Sequence, residues 1–287
     1  MEMSNRSFIT IVSLSMNHQL PHVSPNYSII FDFERNFNKD RSTQWMIEHW
    51  HYACYYVVLY LLVIFGGQAY MKNRPGFEVR KLLAAWNIFL AAFSIFGISR
   101  TLPEMMHVLR KFGFTYSACI SSFLEDVNVT AFWSWMFTLS KVPELCDTLF
   151  IVLRKQPLIF LHWYHHITVL LFTWYAYPKQ ISTGRWYMVM NYFVHSLMYT
   201  YFAMRALHIK TPRIFAFIIT SLQILQMVLG FYITYFGYAT SQRGELCQQV
   251  DNIAIYGLLM YASYFVLFAR FFYYAYISPS SKKKKLA

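Results

Sequence analysis

Runs of apolar residues long enough to cross a bilayer as helices recur along the chain at about 50 to 71, 82 to 99, 129 to 153, 157 to 177, 186 to 206, 213 to 238 and 252 to 277. The pattern predicts an all-α membrane protein of seven transmembrane helices. The second and fourth runs are near the minimum length, and the third is interrupted by Lys141, Glu144 and Asp147. Residues 1–49 form a mostly polar leading segment, 50–277 the helical domain and 278–287 a short basic tail. A weaker apolar patch, Phe8 to Met16, follows Arg6 but has Glu2 ahead of it and no small-residue cleavage motif, so it is not read as a signal peptide.

Composition supports the membrane assignment. The chain is 57% hydrophobic, 20% aromatic and 13% charged, too apolar for a soluble domain of 287 residues. Its net charge of +12 sits in short tracts between the apolar runs rather than along one polar face, which points to anionic headgroups and topology and not to nucleic acid. Phosphate-binding glycine loops, zinc-type cysteine spacing and repeats are missing from the sequence.

Lys and Arg counts in the short loops set the orientation. One set of loops, with the tail, carries thirteen, the opposing loops six, and the leading segment four. The heavier side is cytosolic, so the C-terminus is cytosolic and the N-terminus lumenal. The sequons at Asn5, Asn26 and Asn128 then fall on the lumenal side, although Asn128 lies close to the membrane. Cys119 and Cys247 fall in lumenal loops, where an oxidising compartment lets them pair; two free thiols is the alternative, because sequence does not fix connectivity. Cys54 and Cys146 lie within spans and are expected to be small apolar fillers. Lys284 and Lys285, fourth and third from the end, look like a di-lysine retrieval signal of endoplasmic reticulum membrane proteins. A basic cluster anchoring the last helix is the alternative.

Candidate chemistry concentrates in one layer. His162, His165 and His166 are spaced i, i+3 and i+4, so they share one helix face inside the fourth run. Ionisable groups at membrane depth are costly unless they face a protein interior or a wet cavity, which marks this cluster as a functional site. Counting about 1.5 Å of rise per residue from the cytosolic face brings Lys141, Glu144, Asp147, Asn191, His195, Tyr199, Gln223, Gln226 and Arg270 to a similar depth. Lys141 and Glu144, at i and i+3, can pair, and Asp147 is expected to meet Arg270. Isolated Gln or Asn residues commonly join helices by hydrogen bonds, but so many charged and imidazole groups exceed that role.

Four stretches, Lys141 to Thr148 (KVPELCDT), His162 to His166 (HWYHH), Asn191 to Tyr199 (NYFVHSLMY) and Thr220 to Gln226 (TSLQILQ), resemble in order and spacing the signature boxes of the very-long-chain fatty acid elongases. The resemblance covers about residues 30 to 280 and implies a seven-helix endoplasmic reticulum condensing enzyme enclosing an acyl tunnel. Such an enzyme joins malonyl-CoA to a long-chain acyl-CoA, releasing CO2 and CoA, to give a 3-ketoacyl-CoA. The Trp163-Tyr164 pair and the run Leu153 to Phe160 are most similar to the branch acting on saturated and monounsaturated chains.

The resemblance implies that His165 carries the acyl group, with His195 facing it and His162 and His166 orienting the ring or handling protons. It also implies that Lys141, Gln223, Asn191, Tyr199 and Arg270 contact substrate, while Glu144 and Asp147 hold their neighbours in place. Imidazole suits the role, because neutral histidine attacks thioesters and an acyl-imidazole stays reactive. Cys146 is an alternative nucleophile by residue type only. Basic residues at the cytosolic ends, among them Arg154, Lys155, Lys210 and Arg213, suit the phosphates of CoA. No cofactor or metal is implied beyond the two CoA substrates. Implied partners are membrane lipid and the ketoacyl-CoA reductase, dehydratase and enoyl reductase of the elongation cycle; a homo-oligomer is allowed but not required. The rival readings are a His-box metal-dependent membrane lipid desaturase or hydroxylase, for which the intramembrane histidines are too few, and a seven-helix transporter or receptor.

Overall fold

The computed structural model describes residues 25–278 apart from Asp126, so the Asn5 sequon and the Lys282–Lys285 tail lie outside the described residues. A helix covers each of the seven expected windows, and no strand occurs among the described residues. Two short helices come first, α1 (Asp32–Arg35) and α2 (Lys39–His49). The Asn38 side chain caps α2 by accepting from the Arg41 backbone N–H, satisfying one of the donors that a helix start leaves free. Then follow α3 (Tyr52–Met71), α4 (Arg80–Cys119), α5 (Ser122–Glu125), α6 (Asn128–Ser140), α7 (Cys146–Leu153), α8 (Phe160–Ala176), α9 (Gly184–Ala206), α10 (Arg213–Gln242) and α11 (Asp251–Phe272). A π-helical turn, Tyr273–Ile277, ends the last of them.

Among the described residues, four helices are long and apolar enough to span a membrane by length and composition: Tyr52–Met71, Arg80–Cys119, Arg213–Gln242 and Asp251–Ile277. The third predicted window is not one rod. Pro143 lacks an N–H and crowds the preceding turn, so α6 stops at Ser140 and a 3-10 turn, Pro143–Leu145, re-aims the chain into α7. The fourth, α8, has 17 residues, and α9 carries Arg185, Asn191 and His195 inward. α6, α7 and α8, with 13, 8 and 17 residues, are shorter than a spanning helix needs to be, the first two because the chain breaks at Pro143.

The second window extends well beyond residue 99. Arg100 and Glu104, which read from sequence as the end of the apolar run, are neutralised inside the protein and the helix continues through them. Arg100 donates to both Glu34 carboxylate oxygens, at 2.8 and 2.7 Å, tying the leading segment to α4, and Trp133 Nε1 donates to the same carboxylate at 2.8 Å. Burial alone would raise the Glu34 carboxyl; the hydrogen bonds from Arg100, Trp133 and the Phe31 backbone outweigh it and hold it below the usual range. Glu104 pairs with Arg185 of α9, both fully buried. The helix bends only at Gly113, whose φ of +80° suits a residue without a Cβ. α9 lies closely along α4, with the Tyr192 ring in the space a side chain at Gly97 would need.

Cys119 and Cys247 form a disulfide, as the lumenal-loop placement allowed. Cys54 and Cys146 are exposed on the outer surface, not packed as fillers. Asn26 and Asn128 are exposed, and the Asn128 side chain donates to the Arg35 carbonyl at 3.1 Å.

Candidate active site

The histidine box lies in the N-terminal half of α8, where one helix face turns three imidazoles toward a cavity of about 670 Å³. His162, His165 and His166 all line it, facing His195, Asn191 and Tyr199 of α9 and Gln223 and Gln226 of α10. A second, smaller cavity adjoins the first. His165, Asn191, Gln226 and Met227 line both, so His165 stands at the junction of the two spaces. α9 walls both along a single face: Gly184, Tyr187, Met188 and Asn191 on the second cavity, then Val194, His195, Met198, Tyr199 and Phe202 on the first.

A chain of hydrogen bonds backs the junction. Lys141 Nζ donates to Glu144 Oε1 at 2.7 Å and to Asn191 Oδ1 at 3.1 Å, and it sits 4.4 Å from the centre of the Phe137 ring. With its carbonyl oxygen taken by an ammonium that can only donate, the Asn191 amide presents its nitrogen to His195 Nε2, 3.1 Å away. Nε2 therefore accepts, and the ring carries its proton on Nδ1, which faces Glu144 Oε2 at 3.9 Å. The Lys141–Glu144 pair expected from spacing is present, but Lys141 is buried behind Asn191 and does not line the cavity. Its charge reaches the site through the Asn191 amide.

Asp147 does not meet Arg270. Its two carboxylate oxygens accept from Trp86 Nε1 and the Tyr199 hydroxyl, each at 2.7 Å, because the residue faces α4 and α9 across the cavity wall. Arg270 is exposed on α11 with its guanidinium 5.9 Å from the centre of the Tyr274 ring, apart from the other predicted site residues. Tyr199 presents its ring edge-on to His195 at 5.3 Å, so Asp147 fixes an aromatic wall beside that imidazole.

Several contacts at the site go beyond those expected from sequence. Thr148 Oγ1 lies 3.0 Å from His162 Nε2 and 2.6 Å from the Tyr60 hydroxyl, forming a chain from α3 through α7 to the histidine box. His162 and His166 rings pack at 4.6 Å. The Tyr264 ring lies 5.0 Å from His165, and its hydroxyl donates to the His165 carbonyl. The His165 ring itself makes aromatic contacts only, with its nitrogens uncommitted to protein hydrogen bonds among the described residues. At the cavity mouth stand Arg80, Arg154 and Arg205. Lys155, expected there, instead donates to the carbonyls of Lys72 and Arg74.

The fold and the site together define a helical membrane protein with an imidazole-lined interior cavity that opens past a basic mouth. Among the described residues, no group of three or more His, Cys, Asp or Glu side chains converges as metal ligands would. The sequence profile of the GNS1/SUR4 family (ELO) matches residues 45–284, and the chain belongs to that family. It is 51% identical over 265 residues to very long chain fatty acid elongase 6 of Drosophila melanogaster, covering 92% of this chain and 84% of that protein. Human very long chain fatty acid elongase 6 is 46% identical over 255 residues, covering 89% and 96% respectively. The putative fatty acid elongase 3 of Caenorhabditis elegans is 46% identical over 261 residues, covering 90% and 80%. The desaturase reading finds no support in these relationships.

Proposed function

We propose that this chain is a condensing enzyme of fatty acid elongation, a 3-ketoacyl-CoA synthase that joins malonyl-CoA to a long-chain saturated or monounsaturated acyl-CoA. The observation that carries the reading is membership of the elongase family in a chain whose His165 lies at the junction of a larger, basic-mouthed cavity and a smaller one. The two spaces form one tunnel, with CoA at the mouth and the alkyl chain beyond His165. Arg80, Arg154 and Arg205 meet the phosphates.

In the first half-reaction the free nitrogen of the His165 imidazole attacks the thioester carbon. The C–S bond breaks, CoA leaves as thiolate, and the proton shed by the acylated ring passes to it through His162 or His166. In the second, malonyl-CoA loses CO2 and the electron pair of the broken C–C bond becomes an enolate. Its carbon attacks the acyl carbonyl, the C–N bond breaks, and the imidazole regains a proton. Gln223, which lines the cavity, donates an amide N–H to the oxyanion and enolate oxygens, while His195, its Nε2 turned as an acceptor toward the Asn191 amide, serves as a proton acceptor beside them.

Seven helical segments cross the endoplasmic reticulum membrane, with the N-terminus lumenal and the C-terminus cytosolic. The loop charges support this orientation, and the Cys119–Cys247 disulfide supports an oxidising compartment for its loops. The product then requires a ketoacyl reductase, a dehydratase and an enoyl reductase to complete a cycle.

Purified protein given a long-chain acyl-CoA and carboxyl-to-methylene-labelled malonyl-CoA is expected to form 3-ketoacyl-CoA two carbons longer, with one CO2 per product. Absence of that product, with the protein folded and both substrates bound, would contradict the proposal.

A further inference from the structure

The second cavity has a floor, and the floor is unusually well fastened. Its far end is lined by Phe123, Leu124, Ile181 and Gly184, which belong to two lumenal segments, around residues 117–124 and 180–185. The Cys119–Cys247 disulfide binds the first of these to the loop before α11. That loop bridges to both segments: the Gln248 N–H donates to the Cys119 carbonyl at 2.8 Å, and the Gln248 carbonyl accepts from the Ser182 N–H at 3.0 Å. Ser182 Oγ donates to the Ala118 carbonyl at 2.7 Å. Arg185, one residue after Gly184, reaches the Ser117 and Ile120 carbonyls, Ser122 Oγ and the Glu104 carboxylate, with Phe123 under its guanidinium at 4.9 Å. A floor held at so many points cannot retreat to admit a longer chain, and close-packed interiors transmit such a constraint instead of absorbing it.

Gly184 is the only residue without a side chain on the α9 face that walls both cavities. A Cβ added there would meet Phe123 Cζ at 3.5 Å and Ile181 Cγ1 at 3.9 Å, both ordinary contact distances and both floor residues. The position tolerates a side chain, and a longer one extends among the residues that close the pocket. Two rulers locate this floor relative to the reacting centre. From His195 to Gly184 along α9, and from His165 to Ala176 along α8, there are eleven residues each, a rise of about 16 Å. An all-trans chain of roughly a dozen methylenes spans that length.

We infer that Gly184 sets the upper limit of acyl-chain length, its missing side chain leaving the last space before a disulfide-clamped floor for the methyl end of the substrate. The inference rests on the condensing-enzyme reading above and adds to it a specificity-determining residue remote from the chemistry. A side chain at this position takes space from the chain terminus alone, so it acts on long substrates and leaves shorter ones unaffected.

The test compares wild type with Gly184→Ala and Gly184→Leu, full length and in detergent, on saturated acyl-CoA substrates stepped by two carbons, with kcat and KM read at each length. Gly184→Leu is expected to lower the longest efficiently used substrate by about two carbons, reducing kcat/KM at the wild-type limit at least tenfold while the shortest substrates keep wild-type values; Gly184→Ala gives a smaller shift in the same direction. An unchanged length profile in Gly184→Leu overturns the inference, as does an equal loss at every length, which would place its effect at the reacting centre. A wild-type protein that elongates no acyl-CoA would instead defeat the proposed function. Should Gly184→Leu not fold, the Gly184→Ala profile decides by the same criteria.

Discussion

At the residue scale the site is a set of side chains whose proton positions follow from their neighbours. Lys141 can only donate, so Asn191 must turn its oxygen to it and its nitrogen to His195, leaving His195 Nε2 as an acceptor. Asn191→Leu removes this constraint while keeping approximate volume, and also leaves Lys141 without its second acceptor. Turnover of acyl-CoA with malonyl-CoA is expected to fall about 10²-fold or more, the usual scale of a misassigned acid or base, with the unfolding midpoint lowered modestly. Wild-type kcat in Asn191→Leu would show that the His195 tautomer does not matter to the reaction. The histidine box was legible in sequence because i, i+3 and i+4 positions share a face whatever the surroundings. Tyr60, Trp86 and Tyr264 were not, since each comes from a helix without a motif and only tertiary packing brings it to Thr148, Asp147 or His165. Arg270 shows the converse limit: counting depth along a helix says nothing about which way a side chain faces, and this one faces outward.

At the element scale, irregularities position the chemistry. The break at Pro143 leaves Lys141 just past the end of α6, puts Glu144 on the 3-10 turn and starts α7 with Asp147 in the cavity wall and Thr148 against His162. A continuous helix was the natural sequence expectation, because hydropathy averages over a kink that a single proline imposes. The N-terminal end of α9 is fixed by Arg185, fully buried and paired with Glu104, although the sequence alone reads it as one more loop charge. Arg185→Ala strands the Glu104 carboxylate in the interior and is expected to cost about 3–5 kcal/mol, seen as a lowered unfolding midpoint in detergent. Arg185→Met combined with Glu104→Leu removes both charges and is expected to recover most of that loss. Equal midpoints for wild type and Arg185→Ala would mean that the pair does not fasten this end of the protein.

At the scale of the whole molecule, polarity is distributed by depth. The outer faces of the spanning helices carry exposed apolar side chains such as Leu62, Phe89, Tyr232 and Val266, as a lipid-facing surface should, while histidines, amides and carboxylates collect inside. This arrangement is what composition and periodicity alone could convey, and the all-helical class followed from it. The division of the interior into two cavities could not be read from sequence, because it depends on how α8, α9 and α10 lean together around His165. That division places one imidazole, with its nitrogens uncommitted to protein hydrogen bonds among the described residues, where the larger cavity meets the smaller one. The most direct test of the central claim is to incubate the full-length protein with long-chain acyl-CoA alone and follow both products of the first half-reaction. Stoichiometric release of CoA without malonyl-CoA, together with one acyl mass on the peptide containing His165 and neither signal in His165→Ala, is the predicted result. An acyl group mapped to a cysteine or hydroxyl, or undiminished CoA release by His165→Ala, would contradict it.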